Sequence, residues 1–140
     1  MPERSSFDYA IIRVVPSIER GECINVGVIL FNREARFLDA RVEVDWDRLL
    51  TLAPDVDCSL IERQLDHLVR VARGEANGGP IARLDPSQRF HWLTGPRSTT
   101  IQVSETHSGL CDEPERMLEH LLDTIVRTKA KPAPQARDAG

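Results

Sequence analysis

The chain has 140 residues, of which 41% are hydrophobic and 29% charged, and its formal net charge is −4. This size predicts one soluble domain over residues 1–128, because such a chain buries enough apolar surface to fold without metals or disulfides. The acidic balance argues against a nucleic-acid binder, which needs a basic face. The polar start and the absence of a long apolar stretch argue against a secretory signal and a membrane span.

Three cysteines, at positions 23, 58 and 111, are widely spaced and odd in number. This spacing predicts reduced thiols in a cytoplasmic protein rather than a disulfide framework. The 18 basic residues are nearly all arginine, a preference that indicates a GC-rich bacterial genome.

The first third of the chain has the pattern of β-strands. Residues 9–15 are mostly β-branched or apolar and end at Pro16, which predicts a first strand. Residues 24–31 are apolar on both faces after Asn25 and predict a central strand. Residues 37–44 alternate apolar and charged side chains, which is typical of a half-exposed strand at a sheet edge and makes it a candidate docking edge.

The middle of the chain turns helical. Residues 46–52 predict a short helix that ends before Pro54, and apolar residues recur at helical spacing from Asp57 or Ser59 to about Arg73. A flexible Gly-rich loop follows over residues 74–80. Residues 98–103 predict a fourth strand, followed by a loop to residue 109.

The last helix is predicted to reach about Thr128. Asp112 and Glu115 have the spacing of a capping box, and Pro114 fits the first helical turn. Residues 129–140 are Ala, Pro and charge, which predicts a disordered tail. The whole order of elements predicts an α+β fold, an antiparallel sheet of about four strands with two main helices packed on one face.

Residues 90–114 look like a site, because histidines, an arginine followed by hydroxyl residues and a cysteine are crowded outside any predicted helix. The Arg97 guanidinium can bind a phosphate or carboxylate through two parallel hydrogen bonds, and the hydroxyls of Ser98 and Thr99 add donors. His107 would complete this anion-accepting surface. A strand start with a surface arginine would explain the same residues without a ligand.

Cys111 and His107 have two further interpretations. Their spacing is close to that of zinc ligands, but a structural zinc needs four. Cys111 could instead be a nucleophile with His107 or His91 as its base, near the start of the last helix. A loop histidine and a small buried cysteine are the simpler interpretation, and no metal or cofactor is predicted.

A second candidate region surrounds the turn between the first two strands. Asn25 and Gly27 are unusual in an otherwise apolar strand, and the glycine predicts a bulge or the close approach of another backbone or a ligand. Either a polar clasp holds the turn, or Glu22 and Asn25 form a shell with Arg13 around the Arg97 surface.

Several stretches of the chain together resemble the bacterial Domain of Unknown Function 3037 family over residues 7–127. They are residues 9–16 (Tyr-Ala-Ile-Ile-Arg-Val-Val-Pro), Gly21-Glu22 leading to 25–30 (Asn-Val-Gly-Val-Ile-Leu), 90–99 (Phe-His-Trp-Leu-Thr-Gly-Pro-Arg-Ser-Thr) and 106–109 (Thr-His-Ser-Gly). The family has no established activity, so the resemblance implies no catalytic residues. Its genes are found beside those of HipA-like kinases, which implies a small partner or accessory protein.

We therefore expect a binding or accessory module that works with a larger, kinase-like partner and binds neither membrane nor nucleic acid. Its anion-accepting surface would be formed by Arg97, Ser98, Thr99 and His107, supported by Arg13, Glu22 and Asn25. The alternative is a small enzyme acting on a phosphoester or nucleotide. In that enzyme, Arg97 would stabilise developing charge and His107 would transfer a proton.

Overall fold

A computed structural model of the protein describes residues 4–96 and 100–127. These residues form an antiparallel sheet with helices, which confirms the predicted α+β class. In chain order the elements are β1 (Ser5–Val14), β2 (Ile24–Asn32), β3 (Phe37–Val42), α1 (Trp46–Leu52), α2 (Cys58–Arg73), α3 (Pro86–Leu93), β4 (Ile101–Val103), β5 (His107–Cys111) and α4 (Pro114–Leu121). A π-helical segment, Leu122–Val126, extends α4, and two 3₁₀ turns, Ala76–Gly78 and Pro80–Arg83, separate α2 from α3.

The sheet has the order β3-β2-β1, and both β4 and β5 pair with the far side of β1. Ser104 joins these two short strands across an interruption. Its backbone N–H donates to Ile11 O at 2.8 Å, and its hydroxyl accepts from Ile11 N at 2.9 Å. The sheet therefore resembles four strands with an interrupted fourth, close to the predicted number.

Strand β5 corrects the loop predicted over residues 104–109. It begins at His107, and its sequence His-Ser-Gly-Leu-Cys has little strand propensity. Pairing with the first half of β1 holds it in place, from Tyr9 opposite His107 to Ser5 opposite Cys111. A single sequence does not show this pairing, because the stabilising partner lies about a hundred residues away.

One face of the sheet carries the larger core, against α1, α2 and α3. Helix α2 begins where predicted, since the Asp57 carboxylate accepts from Leu60 N at 3.0 Å. It ends at Gly74, which has a left-handed backbone with φ of 68°. The most deeply buried side chains of this core include Ile12, Ile29, Leu49, Ile61 and Leu93.

The opposite face carries a second core, against α4 and the π-helical segment. It brings Phe7, Val28 and Leu30 of the sheet against Leu118, Leu121, Leu122 and Val126. The prediction that both main helices pack on one face is therefore wrong, since α2 and α4 lie on opposite faces. The physical reason is visible in β2, whose side chains are apolar on both sides and need cover on both.

Helix α4 begins differently from the prediction. Its N-cap is Glu113, which makes no side-chain capping bond, and Pro114 occupies the first helical position as expected. The capping box of Asp112 and Glu115 is therefore wrong, because Glu115 instead accepts from Arg41 Nη2 of β3 at 3.1 Å. The predicted tail, residues 129–140, lies outside the described residues.

Candidate functional site

The described residues of the candidate site at 90–114 are divided between helix α3 and the sheet. His91 and Trp92 lie on α3, so their placement outside a helix is wrong. Asp85 caps this helix by accepting from Gln88 N at 2.9 Å, and Pro86 occupies its first turn. An aspartate followed by proline is a sequence signal for a helix start, so this helix could have been predicted.

The predicted anion-accepting surface is only partly visible. Arg97, Ser98 and Thr99 lie outside the described residues. His107 is exposed at the start of β5, and its ring lies 5.3 Å from that of Tyr9 on the neighbouring strand. The structure therefore places His107 on the face of the sheet that α4 covers, beside an aromatic ring.

Cys111 lies at the end of β5 and is buried in the second core. Burial raises the pKa of its thiol, and Asn32 Nδ2 lies 3.7 Å from the sulfur. A nucleophilic cysteine needs the opposite shift, because the thiolate is the reactive form. In residues 4–96 and 100–127, no three His, Cys, Asp or Glu side chains converge as metal ligands would.

Two of the three predicted supporting residues come together. Arg13 Nε donates to Asn25 Oδ1 at 3.3 Å, and Asn25 Nδ2 donates to Ile125 O at 3.4 Å. Glu22 is separate, since it is exposed in the turn between β1 and β2 and pairs with Arg20 at 2.9 Å. This pairing lowers the pKa of the Glu22 carboxyl through the hydrogen bond from Arg20.

A β-bulge in β2 decides which way Asn25 faces. Ile12 lies opposite Gly27, but Arg13 lies opposite Asn25, so Val26 is an extra residue in β2. Without the bulge Asn25 would oppose Val14, whose side chain is buried in the larger core. The bulge therefore places the amide beside the Arg13 guanidinium instead of inside an apolar core.

Gly27 allows neighbouring strands to approach closely at this bulge. A Cβ atom on Gly27 would lie 2.6 Å from Arg41 O and 2.8 Å from a methyl carbon of Val42. The prediction of a bulge or a close backbone approach at this glycine is confirmed, and both occur together.

The sequence did not reveal a groove that runs along β3 between α2 and α4. Its volume is about 580 Å³. Polar groups form more of its exposed lining than apolar ones, and the apolar part comes from Val42, Val44, Trp46, Leu65 and Val69. Charged side chains also line the groove: Arg41, Arg73 and Arg127, and Glu43, Glu62, Asp66 and Glu119. The alternation of residues 37–44 was the sequence signal, but the helices that wall the groove come from distant segments.

Ion pairs neutralise the arginines of this groove. Arg127 donates to Glu119 at 2.7 Å and to Glu43 at 3.0 Å, and Arg41 donates to Glu119 at 2.9 Å. The hydrogen bond from Arg127 is the main reason that the pKa of the Glu119 carboxyl is lowered. Glu62 is exposed and makes no ion pair within the part of the chain that the structure describes. The lining therefore has an excess of negative charge.

The edge of β3 is closed at its centre. The backbone N–H of Ala40 donates to the Asp39 carboxylate at 2.8 Å, and Arg73 Nε of α2 donates to the same oxygen at 2.8 Å. A charged side chain that occupies an edge donor is a known protection against strand addition. A ligand of this groove is therefore expected to insert side chains rather than to extend the sheet.

Comparison with known proteins assigns the chain to a family but does not assign it an activity. A family model described as "Protein of unknown function (DUF3037)" matches residues 9–126, and the chain belongs to this family. Neither a curated protein nor a solved structure matches the chain significantly. Within the described residues, no helix combines the length and the apolar character needed to cross a bilayer.

Proposed function

We propose that this member of the DUF3037 family is a binding module that docks onto a larger protein through the groove between α2 and α4. The observation that carries the proposal is a groove whose lining combines apolar side chains with four acidic and three basic ones. Interfaces commonly place apolar residues at their centre and polar residues at their rim. The groove offers both apolar and charged side chains on one open surface.

The partner segment that fits is an amphipathic helix with basic flanks. Its apolar face would pack against Val42, Trp46 and Val69, as in other helix-in-groove complexes. Its lysines or arginines would face Glu62, which is exposed on α2, and would compete with Arg70 for Asp66, which pairs with Arg70 at 2.9 Å. Strand addition is disfavoured because Asp39 occupies the N–H of Ala40.

We propose a HipA-like kinase as the class of partner, because the resemblance of the sequence to the DUF3037 family implies it. A cytoplasmic, bacterial setting fits the three cysteines, which are all free thiols. An accessory role also fits the proposed docking at the groove along β3.

The test is the native mass of the protein isolated gently from its host, with wild type compared with two charge reversals. Glu62→Arg reverses an exposed acid at the groove, and Glu34→Arg reverses an exposed acid in the β2–β3 turn. We expect a complex with a kinase-like chain that is retained by Glu34→Arg and weakened about tenfold by Glu62→Arg, since rim charges tune association. A bare monomer, or equal retention by both variants, would contradict the proposal.

The enzyme alternative and the anion-accepting surface around Arg97 stay predictions. Arg97, Ser98 and Thr99 lie outside the described residues, and His107 is exposed beside Tyr9. Phosphoester hydrolysis lost in both Arg97→Ala and His107→Ala, with folding intact, would support the enzyme over the docking module.

A further inference from the structure

Arg13 differs from the other half-buried arginines in the described residues. Its side chain has one hydrogen-bond partner there, the neutral amide of Asn25 at 3.3 Å. The remaining half-buried arginines are bound to carboxylates or to backbone carbonyls: Arg41, Arg70, Arg89 and Arg127. The Arg13 terminal nitrogens are not among the buried unpaired atoms of the described residues, so they are open to solvent and to a small anion.

The geometry leaves the terminal nitrogens of Arg13 available. A guanidinium has five N–H donors, and the Asn25 amide occupies the one on Nε. Within residues 4–96 and 100–127, no carboxylate oxygen lies within 4.0 Å of this guanidinium, although the chain carries 22 acidic residues. The two terminal nitrogens retain the spacing that matches two oxygens of one anion.

We propose that Arg13 is the centre of an oxyanion-binding site, which takes a carboxylate or phosphate group through its two terminal nitrogens. Asn25 is the positioning residue. Its Nδ2 is held by Ile125 O at 3.4 Å, which directs Oδ1 toward Arg13 Nε and fixes the plane of the guanidinium. Gln102 lies directly opposite Arg13 on β4 and forms the other side of the site.

The bulge at Val26 gives the site its second support. The bulge is one extra residue in β2, and this residue brings Asn25 opposite Arg13. Bulges frequently re-aim a side chain beside a functional site. The site lies outside the groove of β3 and does not depend on the proposed docking function, so the two can fail separately.

The experiment is a titration of the isotope-labelled protein with inorganic phosphate and, separately, with acetate at constant ionic strength, followed by NMR. We expect saturable shifts of the Arg13 Nε–H and of the backbone amides of Asn25 and Gln102. Binding of a single small anion should be in the millimolar range. Binding of phosphate alone would assign a phosphate ligand, and binding of acetate alone would assign a carboxylate. Equal binding of both would support an oxyanion site that accepts either group.

Four variants complete the test. Arg13→Gln should weaken binding at least about tenfold, because a charge-assisted pair is lost, and Arg13→Lys should weaken it although the charge remains. Asn25→Ala should weaken it less, since it removes only the positioning contact. Arg83→Gln, at an exposed arginine, is the matched control and should bind as wild type. Saturable shifts absent in wild type, or unchanged in both Arg13 variants, would overturn the proposal.

Discussion

Asp39 and Arg73 close the open edge of the sheet by one shared contact. Arg73 Nε of α2 donates to Asp39 Oδ1 at 2.8 Å, and the same oxygen accepts the N–H of Ala40 at 2.8 Å. The hydrogen bond that Arg73 donates to Asp39 is the main reason that the pKa of the Arg73 guanidinium is raised. A strand edge that would otherwise offer a free donor is thus covered by a carboxylate held from a helix.

The first prediction is that Asp39→Ala makes the protein self-associate. The substitution frees the N–H of Ala40 and the Arg73 guanidinium, so β3 can pair with another copy through its edge. We expect concentration-dependent dimers or larger species in analytical ultracentrifugation, with a stability loss of about 1 kcal/mol. Asp39→Asn, which keeps an acceptor, should associate less, and Glu34→Ala in the exposed turn should stay as wild type. A monomeric Asp39→Ala would show that the edge is protected by something else.

The second prediction concerns the close approach at Gly27. Gly27→Ala places a Cβ atom 2.6 Å from Arg41 O, and the backbone of β3 must move to accept it. Overpacking of this kind costs about 1–3 kcal/mol, measured as the free energy of unfolding in urea. Gly95→Ala is the matched control, because its new Cβ would meet its nearest atom at an ordinary 3.4 Å. Equal stability of the two variants would mean that the strands separate without cost.

The third prediction orders the thiols by reactivity. Cys23 is exposed, Cys58 is partly buried and Cys111 is buried. Burial raises the pKa of the Cys111 thiol, so little of it is ionised at neutral pH. Alkylation followed by peptide mass analysis should label Cys23 first and Cys111 only after unfolding. Rapid labelling of Cys111 in the native protein would restore its interpretation as a nucleophile.

The fourth prediction is a pH dependence at Glu119. Its pKa is lowered in the folded protein, first by the hydrogen bond from Arg127 and then by Arg41. The unfolded chain therefore binds a proton more readily, so the contribution of Glu119 to stability is present above about pH 4.3 and is lost as the pH falls through the lower folded value. Urea unfolding should separate wild type from Glu119→Gln at pH 7, and the difference should shrink progressively as the pH falls below about 4.3.

The control for this prediction is Glu34→Gln. Glu34 is exposed and makes no ion pair in the described segments, so its replacement should change stability little at pH 7. A difference between wild type and Glu119→Gln that persists unchanged at acid pH would show that the effect of the substitution is not electrostatic.

Local patterns in the sequence predicted most of the elements correctly. Helix α1 matches the predicted residues 46–52, and α2 begins next to Asp57, because side-chain caps and apolar periodicity are properties of a few neighbouring residues. Strand β5 was missed because its sequence is polar and its stability comes from β1. Helix α3 was missed although Asp85 and Pro86 signal its start.

Some features of the candidate sites could be predicted from the sequence, and others could not. The sequence drew attention to Asn25 and Gly27, since a polar residue and a glycine interrupt an apolar strand. It grouped Glu22 with them, but the turn carries Glu22 to Arg20 and away from Arg13. The groove lay beyond sequence reasoning, because its walls are two helices that are separated in the chain by about forty residues.

The sequence by itself determined the strands β1 to β3 and the helices α1, α2 and α4, the burial of β2 on both faces, and the bulge or close backbone approach at Gly27. Those properties follow from periodicity, capping and the missing Cβ, which act over a few residues. The tertiary structure alone decided that α4 covers the face opposite α2, that an extra residue at Val26 turns Asn25 toward Arg13, and that Arg73 clamps the β3 edge. These depend on strand register and on contacts between distant segments, and a shift of one residue moves a side chain to the other face of a sheet.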